Sequence, residues 1–334
     1  MRYIVTGAAG FIGSQISEQL VSHATSVVGV DCFTPFYSRE IKERNLRALR
    51  DMPRFRLVEA DLRVDDLTDL LAGADVVVHQ AGQPGVRLSW GTAFDEYVAH
   101  NLLATQRLLE AAKRARVQRF VFASSSSVYG NAAAYPTTES TLPRPFSPYG
   151  TTKLAAEHLC SLYASNWDVP TVALRYFTVY GARQRPDMAL HRFIRAAIED
   201  RELEIYGTGE QLRDFTHVDD VVRANVLAAT RPIQPGTTVN IAGGSYETVN
   251  GLLGMIAELV GRPLRVNRRS EQAGDVVETR ADCSLADTLL GWRPMIPLAD
   301  GIVRQFAWQL DSAGRTLPDR RRDGRATIAS AAVL

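Results

Sequence analysis

Short apolar runs closed by polar or glycine residues recur along the chain, at Arg2–Thr6, Ser26–Val30, Asp75–His79, Arg119–Ala123 and Thr171–Leu174. Runs of that length, bounded by turn residues, predict buried strands. Between them the apolar positions of Phe11–Val21, Phe94–Ala115 and Tyr149–Ala164 recur every three or four residues, which predicts helices. Strands alternating with helices pair in parallel and carry helices on both faces. Beyond about residue 176 the pattern loosens, and Pro186, Gly207, Gly209, Pro232 and Pro235 mark turns between shorter elements. Residues 1–176 thus predict one α/β unit, to which a segment at about 216–240 returns, and residues 177–310 a smaller C-terminal lobe that takes the substrate. From 311 to 334 an arginine cluster is followed by alanine and serine without a hydrophobic period, which predicts a flexible tail.

With 46% hydrophobic and 22% charged residues, the 334-residue chain can bury one large core or two modest ones. The formal net charge is +1 and the basic residues are scattered, which argues against nucleic acid or a membrane surface as the partner. Cys32, Cys160 and Cys283 lie far apart with no Cys-x-x-Cys spacing, so packing roles in a reducing compartment are expected, and no metal. The first strand pattern begins at Arg2, leaving no room for a signal peptide, and no apolar run approaches the ~20 residues of a membrane span. A cytoplasmic location is expected. Lysine occurs only at Lys42, Lys113 and Lys153, so a lysine inside a motif carries weight.

The first strand runs into Gly7-Ala8-Ala9-Gly10-Phe11-Ile12-Gly13, which opens the first helix. Glycines there permit a tight turn and let backbone amides approach a pyrophosphate, while the helix N-terminus adds positive potential. Asp31 closes the next strand, 18 positions beyond Gly13. A carboxylate at that place accepts from both adenosine ribose hydroxyls and repels a 2′-phosphate, so NAD is favoured over NADP. Together these predict a Rossmann-type, doubly wound parallel sheet. Asp61-Leu62 is a candidate for the adenine edge, and Ala81-Gly82-Gln83, after the fourth strand, for the rest of the cofactor.

Tyr149 and Lys153, four apart at the start of a helix, share one face. An ammonium near the phenol favours the phenolate, which makes tyrosine a base near neutral pH. Ser124-Ser125-Ser126-Ser127-Val128-Tyr129-Gly130 ends a strand upstream and offers hydroxyls where open α/β sheets bind ligands.

With these motifs in place the chain resembles the extended short-chain dehydrogenases, the NAD-dependent sugar epimerase and dehydratase family, from Arg2 to roughly Gln309. The resemblance implies that Tyr149 is the base, that Lys153 holds the nicotinamide ribose and lowers the tyrosine pKa, and that Ser125 is the partner hydroxyl on the sugar oxygen. It further matches Arg175-Tyr176-Phe177-Thr178-Val179-Tyr180-Gly181, Arg213-Asp214-Phe215 with Asp219, and Gly274-Asp275-Val276, segments that serve the nicotinamide edge and the nucleotide diphosphate in the family. Tyr176 and Thr178 are thereby candidate cofactor residues, and Thr178, Arg192, Arg213 and Asp275 candidate substrate residues.

Family members begin by moving hydride from sugar C4 to NAD and differ in the fate of the 4-keto intermediate. Dehydratases carry an Asp-Glu pair after the catalytic hydroxyl residue, and decarboxylases usually a glutamate at the second of these places; here they are Ser126 and Ser127. An intermediate denied further acid chemistry turns its other face and takes the hydride back, which is C4 epimerisation. Asp31-Cys32-Phe33 with Tyr37, Lys42 and Asn45, together with Gly85-Val86-Arg87, Arg185-Pro186-Asp187-Met188 and Gln272-Ala273-Gly274-Asp275, resemble UDP-glucuronate 4-epimerases in particular. Arg87 and Arg185 could contact a C5 carboxylate, a planar anion that guanidinium suits. UDP-glucose 4-epimerase, decarboxylase, dehydratase and a cofactor-binding protein without chemistry remain the competing readings. A patch of Phe94, Tyr97 and Val98 with Leu154, His158, Leu159 and Leu162 would make the four-helix homodimer interface of the family.

Overall fold

A computed structural model describes residues 1–315 of the chain. The described strands are, in chain order, β1 (Arg2–Thr6), β2 (Ser26–Asp31), β3 (Phe55–Glu59), β4 (Val76–His79), β5 (Arg119–Ser125), β6 (Thr171–Tyr176), β7 (Val179–Tyr180), β8 (Leu203–Tyr206), β9 (Leu212–His217), β10 (Thr237–Ile241), β11 (Ser245–Thr248) and β12 (Val266–Arg269). Seven of them form one sheet in the order β10-β6-β5-β4-β1-β2-β3, and every pair in it is parallel. The chain leaves β1 in one direction along the sheet and returns at β4 in the other, so a crevice opens at the carboxyl ends of β1 and β4. Branched and aromatic side chains fill both faces, as a sheet covered by helices on each side requires. β3 escaped the periodicity because Phe55-Arg56-Leu57-Val58-Glu59 is a half-exposed edge strand with polar positions.

The helix that carries Tyr149 starts where the sequence supplies a cap. The Ser147 hydroxyl accepts from the Gly150 amide at 3.1 Å and Pro148 occupies the first turn, so the helix Pro148–Trp167 begins one residue before Tyr149. The run Phe94–Ala115 is helical throughout, but Val98–Leu103 widens into a π turn that disturbs the i to i+4 ladder.

After β6 the chain builds a lobe from a three-stranded sheet β11-β9-β7 and the parallel pair β8-β12. Helix Val218–Thr230 and β10 belong with the large sheet: Val218, Val221 and Ala224 share a core with Phe11, Ile16 and Leu20. Ala286, Leu290 and Trp292 join that same core, although the sequence pattern assigns them to the lobe. Trp292 donates its indole N–H to the Asp220 carbonyl at 2.9 Å, which gives the buried ring a polar partner there. The helix Leu298–Ser312 extends into the segment expected to be a tail, and that expectation otherwise lies outside the described residues. Among the described residues no helix is long and apolar enough to cross a membrane.

Candidate active site

The glycine loop sits at the mouth of the crevice. Gly7 has φ +67°, and a Cβ on it would lie 2.8 Å from the Ala81 amide nitrogen, while a Cβ on Gly13 would strike the Gly7 carbonyl. The turn thus requires glycine at both positions. Asp31 is buried at the end of β2; one carboxylate oxygen accepts from the Ala9 amide at 3.0 Å and the other from Phe33 at 2.8 Å. Lys42 stands 3.8 Å from the same carboxylate and donates to the Thr34 carbonyl at 3.0 Å. Gly7, Gly10, Phe11, Ile12, Gly13, Asp31, Asp61, Leu62, Ala81, Gly82, Gln83, Tyr149, Lys153 and Tyr176 all line one cleft. A close backbone turn, a helix N-terminus behind it and a fixed carboxylate at the next strand fit a dinucleotide. Asp61 is held by the Arg63 guanidinium at 2.8 Å, which keeps its carboxyl below the usual range.

Tyr149 and Lys153 meet the cleft from the first turns of their helix. Burial raises the Tyr149 phenol above its ordinary pKa, while a hydrogen bond from Ser125 and the charge of Arg185 pull it back. Burial pushes the Lys153 ammonium down to about 8, and Cys160 and Glu157 oppose the shift. Lys153 donates to the Ala123 carbonyl at 2.9 Å, and the charge that lowers the Tyr149 phenol is that of Arg185. Behind them, Glu157 takes a two-pronged ion pair from Arg175 at 2.8 and 2.9 Å and a hydrogen bond from Ser124, joining the tyrosine helix to the ends of β5 and β6.

The serines turn away from β5 in a short helical turn, with the Ser127 amide donating to the Ser125 hydroxyl at 3.1 Å; Ser126 and Ser127 are half-buried. Arg185 lines the cleft but is already paired with Asp187 at 2.9 Å. Arg87 reaches Asp275 at 2.7 Å and lies over the Tyr206 ring, 4.3 Å from its centroid, closing the space between the two parts of the chain. Arg213 is held below the usual guanidinium range by burial, with Asp275 opposing and Arg87 adding to the shift, and it donates to the Leu212 carbonyl at 2.9 Å. Thus Arg87, Arg213 and Asp275 gather at the lobe while Arg185 stands with Tyr149. Thr178 and Arg192 are half-buried, and neither lines the cofactor cleft.

Several residues at the site carry no motif. Asn101, on the π turn, accepts from the Gln83 amide at 2.7 Å and donates to the Gln83 carbonyl at 3.0 Å, gripping the loop after β4 as a strand would. The sequence shows only an asparagine inside an apolar helical run, which does not reveal what the amide binds. Gln80 donates to the Tyr176 hydroxyl and to Asn225, each at 3.0 Å, and Phe36 and Arg63 complete the cleft wall beside Tyr37, which the sequence singles out.

A family model described as "NAD dependent epimerase/dehydratase family" matches residues 3–242. A Bacillus subtilis (strain 168) protein named "Uncharacterized UDP-glucose epimerase YtcB" is 43% identical over 92% of this chain and 98% of its own length. A UDP-glucuronate 4-epimerase of Thermodesulfobacterium geofontis (strain OPF15) is 33% identical over 93% of this chain and 96% of its own. Among solved structures, the UDP-glucuronic acid 4-epimerase from Bacillus cereus, in complex with UDP-glucuronic acid and NAD, superposes with a TM-score of 0.91 at 41% identity, covering 93% of this chain and all of that one. The chain belongs to the NAD dependent epimerase/dehydratase family.

Proposed function

We propose that the chain interconverts UDP-glucuronate and its C4 epimer, UDP-galacturonate, with tightly held NAD. The observation that carries the reading is that Tyr149 and Arg185 line one cleft and Ser125 bonds to the Tyr149 phenol, with serines at 126 and 127 where an acid would divert the intermediate. Its support from relatives is the Bacillus cereus enzyme, whose complex holds UDP-glucuronic acid and NAD.

NAD, when bound, accepts the C4 hydride and later returns it. The Gly7–Gly13 amides would take its pyrophosphate, Asp31 the adenosine ribose, Asp61 and Leu62 the adenine, and Ala81, Gly82, Gln83 and Tyr176 the nicotinamide side. Tyr149 removes the proton from the C4 hydroxyl, with Ser125 bonded to the same oxygen and Lys153 on the nicotinamide ribose. The keto sugar then presents its opposite face, and Tyr149 gives the proton back. Arg213, Arg87, Asp275 and Arg192 serve the nucleotide diphosphate and its surroundings.

The 4-keto glucuronate is a β-keto acid and loses carbon dioxide when its carboxylate stands perpendicular to the ketone plane. Arg185, Ser126 and Ser127 would hold the group nearer that plane. Arg185 needs only to exchange Asp187 for the sugar carboxylate, a trade between two similar anions.

The chain is read as a cytoplasmic homodimer. Its cysteines are unpaired, and Leu103, Leu162 and Trp167 stand exposed on the helices expected to pair. Tyr97, expected on that face, is instead buried with its ring edge against Tyr149 and its one O–H shared between the Pro84 and Gly85 carbonyls.

Incubating the purified enzyme with UDP-glucuronate and with UDP-glucose in parallel, and separating the products by chromatography, tests the assignment. UDP-galacturonate is expected as the main product of the first; conversion of UDP-glucose alone would make the chain a glucose epimerase.

A further inference from the structure

The helix Leu298–Ser312 packs on the lobe through Leu298, Ile302, Phe306 and Leu310. Gln305 lies on the same face, three residues from Ile302, and is wholly buried, yet it is a glutamine. A primary amide in such a place costs free energy unless both ends are bonded, and a leucine or methionine would pack there without that demand. Both ends are bonded. The Gln305 oxygen accepts from the Gly181 amide at 2.8 Å, and its nitrogen donates to the Gln184 side chain at 2.7 Å. Gln184, also buried, donates in turn to the Val179 carbonyl at 3.0 Å.

These bonds fix the turn that leaves β7. Gly181 has φ +131° and its amide turns into the lobe. On its outer side the same loop is tied to the cofactor half: the Ala182 carbonyl accepts from Gln15 at 3.1 Å, and Arg183, with φ +64°, pairs with Glu18 at 2.9 Å. Arg185 comes immediately after Gln184 in the chain. Its planar guanidinium sits at the end of a long side chain, so where it stands depends on how firmly residues 181–184 hold the backbone.

We infer that Gln305 and Gln184 are positioning residues for Arg185, through which the C-terminal helix sets how the site grips an anionic sugar. The inference rests on the proposed UDP-glucuronate reading. Neither glutamine touches the cleft, so both act only through the loop.

The test compares Gln305→Met with Arg185→Ala and the unaltered enzyme. Three quantities are read: KM for UDP-glucuronate, the inhibition constant of UDP, which lacks the carboxylate, and the fraction of UDP-pentose among the products. Since small displacements remote from the chemistry are costly, Gln305→Met is expected to raise KM by about tenfold and to increase the pentose fraction, with UDP inhibition within about twofold of normal. A chain that fails to fold, judged by its melting curve, is replaced by Gln184→Met, which cuts the same link from the loop. Equal weakening of UDP and UDP-glucuronate without a rise in pentose would overturn the inference. If Arg185→Ala shows the selective change and the glutamine variant does not, the inference alone fails; if the unaltered enzyme leaves UDP-glucuronate unchanged, the functional reading fails instead.

Discussion

The two halves of the site are held by different means. On the cofactor side the geometry is set by backbone: glycines that no other residue can replace, a strand end, and a carboxylate whose two oxygens each bind an amide. On the side proposed for the substrate it rests on ion pairs between side chains, Arg87 with Asp275 and Arg185 with Asp187, each with one exposed member. Exposed pairs contribute about 0–1 kcal/mol and exchange partners readily. The contrast matches two duties. A cofactor retained through the cycle needs a preformed seat, whereas an anionic substrate that enters and leaves needs cations whose present partners it can displace.

The same contrast governs what the sequence could disclose. Periodicity recovered β1, the helix Phe11–Val21 and the body of the parallel sheet because buried strands and amphipathic helices state their environment locally. Arg87 and Asp275 are 188 positions apart, one in the short helical turn Arg87–Ser89 and the other in an irregular stretch of the lobe, so no local pattern joins them. Asn101 and Gln305 were equally silent, since a buried amide reveals its purpose only once its partners are known. Tyr149, Lys153 and the glycine loop were visible through spacing, but the engagement of Lys153 with the Ala123 carbonyl was not.

The largest effect should come from the hydroxyl proposed as the base. Tyr149→Phe is expected to fold, to retain NAD and to lose at least ~100-fold in turnover, as removal of a positioned base does; steady-state kinetics on the purified variant measures it, and near-normal turnover would remove Tyr149 from the mechanism.

Two carboxylates allow a direct comparison of the halves. Asp31→Ala strips two amides of their acceptor and should cost about 1–3 kcal/mol in denaturant unfolding, together with loss of retained cofactor. Asp275→Ala removes a partly exposed ion pair and should cost less than about 1 kcal/mol. Similar losses would erase the distinction. Denaturing the unaltered enzyme should release NAD; release of NADP would contradict the role given to Asp31.

A smaller effect concerns pH. Lys153 is an ammonium below about 8 and loses its proton as the pH rises through that value, so kcat/KM should decline on the alkaline side near pH 8. In Lys153→Met the whole profile should be lower and this alkaline limb absent; persistence of the limb would assign it to another group.

The central claim is that Arg185 holds the sugar carboxylate while the ketone exists, and the products of Arg185→Ala measure this most directly. Loss of a charge-assisted, two-pronged contact costs about 1.5–3 kcal/mol, so UDP-glucuronate should bind far more weakly while UDP-glucose is little affected. With the carboxylate free to rotate, UDP-pentose should rise relative to the epimer. Equal losses on both sugars with no additional pentose would show that Arg185 only shapes its loop.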